Sequence, residues 1–143
     1  MIKTSIADSG YALLCQRAEE ALDNAYCPYS KYRVGAAVMT ESGKIYTGCN
    51  IENGSYGASN CGERTAVFKA VSDGERRLTA IAIFTDIGNS PPFPCGICRQ
   101  VLSEFCSGDM AVIVFDGEKS VYNLTLEELL PYSFELKSDT NPF

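Results

Sequence analysis

Two short stretches of this chain carry residue types suited to metal chemistry: Asn60-Cys61-Gly62-Glu63-Arg64 and Pro94-Cys95-Gly96-Ile97-Cys98-Arg99. Cys95 and Cys98, three residues apart at a helix start, put both sulfurs on one side of the first turn. Cys61 opens a separate element and is the natural source of a third sulfur. Zn²⁺ takes sulfur or nitrogen donors tetrahedrally, and a catalytic zinc keeps three protein ligands and leaves its fourth position to water. The chain contains no histidine, so sulfur must furnish the ligands, with carboxylate as the other available donor. Glu63 stands two residues beyond Cys61, close enough to serve a water at the metal without ligating it. Three thiolates and one free carboxylate are the parts that metal-assisted hydrolysis with proton transfer requires.

Each of these residues also has a plainer reading. Cys-x-x-Cys after a strand and at a helix start suits a redox dithiol, and a cysteine cluster suits a structural metal knuckle. Cys61-x-Glu63 weighs against the first, because dithiol exchange has no use for a third thiol beside a carboxylate. A four-cysteine site would need Cys15, Cys27, Cys49 or Cys106, none of which has knuckle spacing; each reads as a small buried hydrophobe. Glu63 equally suits a first-turn acid on a helix dipole. Arg64 is either a solvated charge or a donor to the sulfurs, where it would offset the net negative charge of zinc with three thiolates. Asn50 and Glu52, two apart, share one face of a strand and read either as an exposed polar face or as part of the site.

The elements that must position these groups follow from hydrophobic periodicity. Apolar residues Leu14, Ala18, Ala21, Leu22 and Ala25 recur at helical spacing and predict an amphipathic helix from about Ser9 to Tyr26, ended before Pro28. Val34 to Met39 and Ile45 to Ile51 predict a hairpin turning at Glu41-Ser42-Gly43-Lys44. The helix carrying Cys61 buries Ala66, Val67, Ala70 and Val71, and Leu78 to Phe84 predicts a strand covered on both faces. After a proline-rich loop over 90–94, the helix Cys95 to Phe105 turns Val101, Leu102 and Phe105 inward. Met110 to Phe115 and Val121 to Leu124 read as further strands, and Thr125-Leu126-Glu127-Glu128 as a capping box opening a last helix before Pro131. Strands alternating with helices predict an α/β sheet with helices on both faces, its site at the sheet end where Cys61 and Cys95 enter their helices.

The 143 residues fit a single domain, 1–143, able to bury roughly two-thirds of its unfolded surface. A net charge of −6 and the lack of any Lys/Arg cluster disfavour a polynucleotide, which needs a basic track for its phosphates. A small neutral ligand suits the chain better. The amino-terminal stretch has no signal-peptide core, and no apolar run approaches the ~20 residues of a membrane span. Seven cysteines without a secretion signal point to a reducing, cytoplasmic setting.

Five segments together resemble the small cytidine deaminases: Cys27-Pro28-Tyr29-Ser30, Gly48-Cys49-Asn50-Ile51-Glu52-Asn53, Cys61-Gly62-Glu63-Arg64-Thr65-Ala66, Pro94-Cys95-Gly96-Ile97-Cys98-Arg99-Gln100 and Glu128-Leu129-Leu130-Pro131. They occur in the family's order and span essentially the whole chain. The resemblance implies a three-layer α-β-α sandwich around a mixed sheet of about five strands, assembled as a homotetramer. It implies hydrolysis of cytidine and deoxycytidine to uridine and deoxyuridine, with release of ammonia, in pyrimidine salvage. It implies Zn²⁺ on Cys61, Cys95 and Cys98, Glu63 as proton shuttle and Arg64 supporting the thiolates. Asn50 and Glu52 would hold the ribose hydroxyls, the backbone near Gly62 would read the base, Phe134 would approach a neighbouring subunit's site, and Tyr56 would sit at a subunit contact.

Two positions depart from the pattern. Tyr32 stands where the family commonly has phenylalanine against the nucleoside, and Gly62 where it commonly has alanine. Both bear on substrate breadth, which extends the alternatives to other aminopyrimidines and to cytidines with an N4 substituent. A glycine at Gly62 costs backbone entropy, so Gly62→Ala is expected to raise thermal stability slightly. A zinc-stabilised binding protein without catalysis is the reading from a different class. Glu63 argues against it, since a structural site needs only sulfurs.

Overall fold

Alternation of side chains along the two central strands decides the architecture. In β4 (Leu78–Phe84), Ile81 and Ile83 join one buried cluster while Ala80, Ala82 and Phe84 join another. In β5 (Ala111–Phe115), Val112 and Val114 divide from Ile113 and Phe115 in the same way. A strand buried on both faces needs a layer of helices over each. One layer is α1 (Ala12–Ala21), which contributes Leu14, Cys15 and Ala18. The other holds α2 (Gly62–Ser72), α3 (Gly96–Glu104) and the short α4 (Leu126–Leu129), contributing Ala66, Val67, Ala70, Leu102 and Leu126. The computed structural model describes residues 1–137, and these form the expected three-layer α-β-α arrangement.

The sheet has six strands rather than about five. With β1 (Ile2–Thr4), β2 (Gly35–Thr40), β3 (Ile45–Cys49) and β6 (Val121–Thr125), the order is β1-β6-β5-β4-β2-β3. The added strand is β1, whose three residues pair antiparallel with β6. Three residues are too few to show a period of two, so only pairing reveals them. β4 and β5 alone run parallel, and α3 supplies the crossover that a parallel pair demands.

Other boundaries moved for local reasons. The first helix is regular only over Ala12–Ala21; short 3₁₀ turns at Ala7–Ser9 and Leu22–Asn24 flank it, and Gly10, at φ 79°, separates the first of these from it. The predicted capping box at α4 is present: the Thr125 side chain accepts from the Glu128 amide (3.3 Å), and the Glu128 carboxylate accepts from the Thr125 amide (2.8 Å). β3 stops at Cys49, so Asn50 and Glu52 lie beyond the strand on an irregular segment rather than on its face. Cys15, Cys49 and Cys106 are buried as expected, whereas Cys27 is partly exposed.

What positions the site is the contact between β3 and α2. A Cβ at Gly48 would collide with the backbone of Ala66 and Gly62, so only glycine lets the helix lie this close to the strand. That contact sets the start of α2 beside the end of β3. Gly35 pairs with both Cys49 and Phe84, so the segments leaving β3 and β4 emerge at one end of the sheet.

Candidate active site

Cys61 caps α2 and Cys95 caps α3, both in extended conformation, and Cys98 lies one turn into α3. The three sulfurs fall within 4.8 Å of one another. None is in a disulfide, which would require a sulfur separation of about 2.05 Å. A metal test follows from geometry. Tetrahedral ligation at about 2.3 Å sets sulfurs roughly 3.8 Å apart, and Cys61 Sγ and Cys95 Sγ are 3.8 Å apart. The donor set and its spacing fit zinc.

Electrostatics favour thiolate at this point. The Cys61 thiol is pushed down to about 5, first by a hydrogen bond from Cys98 and then by Arg64. Its partner Cys98 moves the opposite way, because the pair shares a proton and Cys98 is buried beside it. Arg64 Nη2 donates to Cys61 Sγ at 3.3 Å, so this arginine is a sulfur partner and not a solvated charge. Away from the cluster, burial pushes Cys15 up to about 11 and Cys106 to about 12.

Glu63 is 5% exposed, and desolvation raises its carboxyl to about 7, with the Cys61 charge adding to the rise. A carboxyl near neutrality both accepts and gives a proton at working pH. It lines a cleft of about 280 Å³ together with Cys61 and Cys95. Of the residues singled out in the sequence, Tyr32, Asn50, Glu52 and Gly62 line the same cleft. Ser30, Val34, Pro92 and Phe93 also line it and were not singled out as site residues. For the last two the signal was available, since a loop running into Cys95 must form the wall beside it.

The polar wall is held rigidly. Asn50 Nδ2 donates to the Tyr32 carbonyl (2.7 Å), and its Oδ1 accepts from the Val34 amide (2.9 Å), which ties residues 32–34 to the segment after β3. Glu52 Oε1 accepts from the Tyr29 and Ser30 amides at 3.0 and 3.1 Å. The Ser30 contacts, with that of Tyr29, hold Glu52 below the usual carboxylate range. Desolvation in the cleft wall raises Tyr32. Phe134 and Tyr56 stand apart from the cleft, exposed at 68% and 78%.

Gly62 has a packing reason. A Cβ there would lie 3.2 Å from the Val34 carbonyl oxygen and 3.3 Å from the Cα and carbonyl carbon of Cys49. These are backbone atoms that cannot rotate aside. The expected small gain from Gly62→Ala, at most about 1 kcal/mol of helix propensity, is therefore opposed by a contact in which these backbones must give by a few tenths of an ångström, and overpacking typically costs about 1–3 kcal/mol. We expect Gly62→Ala to lose about 1 kcal/mol, read as a fall in Tm of the zinc-loaded protein. A rise in Tm would show that α2 and the strand end part freely.

Comparison with known proteins adds the following. Residues 9–115 match the family model described as the cytidine and deoxycytidylate deaminase zinc-binding region. The chain is 49% identical over 121 residues to a cytidine deaminase of Sporosarcina psychrophila, covering 85% of this chain and 88% of that one. It is 45% identical over 122 residues to a cytidine deaminase of Halalkalibacterium halodurans, covering 85% and 92%. The crystal structure of cytidine deaminase from Burkholderia pseudomallei superposes with a TM-score of 0.82 at 40% identity, covering 87% of this chain and 98% of that one.

Proposed function

The chain belongs to the cytidine and deoxycytidylate deaminase family, and from that premise we propose that its cleft performs the hydrolytic deamination of cytidine to uridine and ammonia. The observation that carries this reading is the convergence of three sulfurs within 4.8 Å beside a carboxyl that is 5% exposed. Cys61, Cys95 and Cys98 hold the zinc. The zinc they would hold would supply a water whose pKa is lowered toward ~7, a nucleophile available at neutral pH.

The chain's own groups do the rest. Glu63 takes one proton from the attacking water and delivers it to ring N3, which makes C4 electrophilic. After the oxygen has added to C4, Glu63 takes the second proton and gives it to the exocyclic amine, which leaves as ammonia. Arg64 keeps Cys61 anionic through its 3.3 Å bond. Glu52 and Asn50 take the ribose hydroxyls, and their fixed positions spare the ordering cost that flexible donors would bear. Tyr32, Val34, Pro92 and Phe93 give the base an apolar wall. Deoxycytidine is a substrate on the same reading. Incubating the zinc-loaded protein with cytidine, and following absorbance loss and ammonia release, tests the activity; no ammonia from protein with full zinc would overturn it.

We place the working enzyme in a homotetramer. Tyr26 bridges Ile51 and Tyr29 meets Tyr56 edge-on, all four exposed, and Phe134 is exposed near the end of the described chain. In the assembly, Phe134 reaches a neighbour's cleft and Tyr56 a subunit contact. Light scattering at assay concentration is expected to give four times the chain mass, and an active monomer would refute it. Among the described residues no helix is long and apolar enough to cross a membrane. Free thiols at the site support a reducing cytoplasmic setting.

A further inference from the structure

Of the three sulfurs, Cys95 has the least support from its surroundings. Cys98 is buried within α3, and Cys61 receives a bond from Arg64. Cys95 is exposed and hangs at the end of the loop over residues 90–94. Pro91, Pro92 and Pro94 have no backbone N–H, so they cannot tie that loop down as donors. The one N–H left among residues 91–94, that of Phe93, is spent inside the loop on the Pro91 carbonyl at 3.0 Å. At the start of the loop the Ser90 amide donates to Asp116 Oδ2 at 3.1 Å, so the span next to Cys95 is held by the burial of Pro92 and Pro94 and by a donor reaching one of its carbonyls.

That donor is Arg99. Its Nε donates to the Pro94 carbonyl at 2.7 Å, and its Nη1 donates to the Leu129 carbonyl at 2.7 Å. Its backbone N–H donates to the Cys95 carbonyl at 3.0 Å, as an ordinary helical bond. One residue thus grips the peptide on both sides of Cys95 and braces it against the end of α4. The other, amino-terminal end of this short helix is fixed by the Thr125–Glu128 capping box. The planar guanidinium is suited to this, because it presents two donors at a fixed angle to two acceptors.

We infer that Arg99 is a positioning residue for the metal: it holds Cys95 where its sulfur meets the other two, so that the site is formed before metal arrives. This rests on the reading of the three cysteines as a zinc site. Removing the brace keeps all three cysteines in the chain but frees Cys95 and its loop, which then pay an ordering cost when metal binds. Loss of a partner that orients a ligand lowers metal affinity by about 10–100-fold.

The test is zinc affinity by chelator competition in Arg99→Ala and Arg99→Lys, with cytidine kinetics at saturating zinc. Arg99→Ala is expected to bind zinc about 10–100-fold more weakly. Arg99→Lys is expected to fall between it and wild type, since an ammonium replaces a two-pronged contact with one. With zinc in excess, kcat should recover in both while KM for cytidine stays near that of wild type, a pattern that general destabilisation would not give. A zinc Kd within twofold of wild type in Arg99→Ala would overturn the inference. If that variant does not fold, an Arg99→Lys protein with wild-type zinc affinity would overturn it equally. The affinity readout is independent of turnover. Wild-type protein that binds zinc yet releases no ammonia sinks the deaminase reading alone, whereas wild-type protein that binds no zinc sinks both.

Discussion

Glu63→Gln is expected to keep one zinc per chain and to lose at least 10²–10⁴-fold in kcat, the range for removal of a general acid/base. Glutamine matches glutamate in shape, so the packing of a side chain that is 5% exposed is preserved. What disappears is the ability to hold and release a proton. The carboxyl is asked to move protons twice in one turnover, first to N3 and then to the leaving amine, and an amide does neither. The measurement is kcat at saturating cytidine beside metal content in the same preparation. Turnover within about threefold of wild type would show that another group carries the proton.

The same variant has a second expected result in the metal-free protein. Burial raises the Glu63 carboxyl from its ordinary 4.5 to about 7. A group whose pKa is higher folded than unfolded favours the fold fully only below its unfolded value, and that contribution is lost as pH rises through the folded value. Metal-free wild type should thus lose about 3 kcal/mol between pH 4 and pH 8 through this group. Glutamine has no such titration. Metal-free Glu63→Gln should be the more stable protein at pH 8, with the difference vanishing toward pH 4. Parallel stability curves for the two proteins would contradict this account of the carboxyl.

How much of this was legible in the sequence depends on the kind of signal each residue carries. β4 was read to its boundaries because six of its seven residues are buried, leaving a near-continuous apolar run interrupted at exposed Thr79. β1 was missed because Ile2, Lys3 and Thr4 acquire a partner only through β6, more than a hundred residues away. The cluster of Cys61, Cys95 and Cys98 was legible because thiols near helix starts are few and their chemistry is narrow. Asn50 and Glu52 were correctly grouped for a mistaken reason: they meet the cleft from an irregular segment, not from one strand face. Gly62 shows what a propensity scale leaves out. Helix propensity predicts a gain from alanine, but the backbones of Val34 and Cys49 lie 3.2–3.3 Å from where its Cβ would sit, a tight contact that no local pattern reveals. Arg99 illustrates the same limit, because its partners lie five residues before it and thirty after it.

Cys61→Ala, Cys95→Ala and Cys98→Ala are each expected to lose zinc and activity together, while Cys15→Ala and Cys106→Ala keep both. Two sulfurs cannot replace three, and these thiolates are the groups that would bind the metal directly. Cys15 and Cys106 pack in the two cores at 0% and 6% exposure, so their loss costs only a small cavity of about 1 kcal/mol. Cys61 needs a closer control, because its sulfur also accepts from Arg64 Nη2. Alanine there removes that acceptor from a guanidinium whose Nε is already buried without a partner among the described residues, so metal loss and unfolding could be confused. Cys61→Ser separates them. The hydroxyl still offers Arg64 an acceptor and nearly fills the space, yet it is a poor zinc ligand beside two thiolates. The expected outcome is a folded Cys61→Ser protein with zinc content near zero and no measurable ammonia release from cytidine. A full complement of zinc in either Cys61 variant would mean that the metal sits on another set of donors, and the assignment of the site would fall with it.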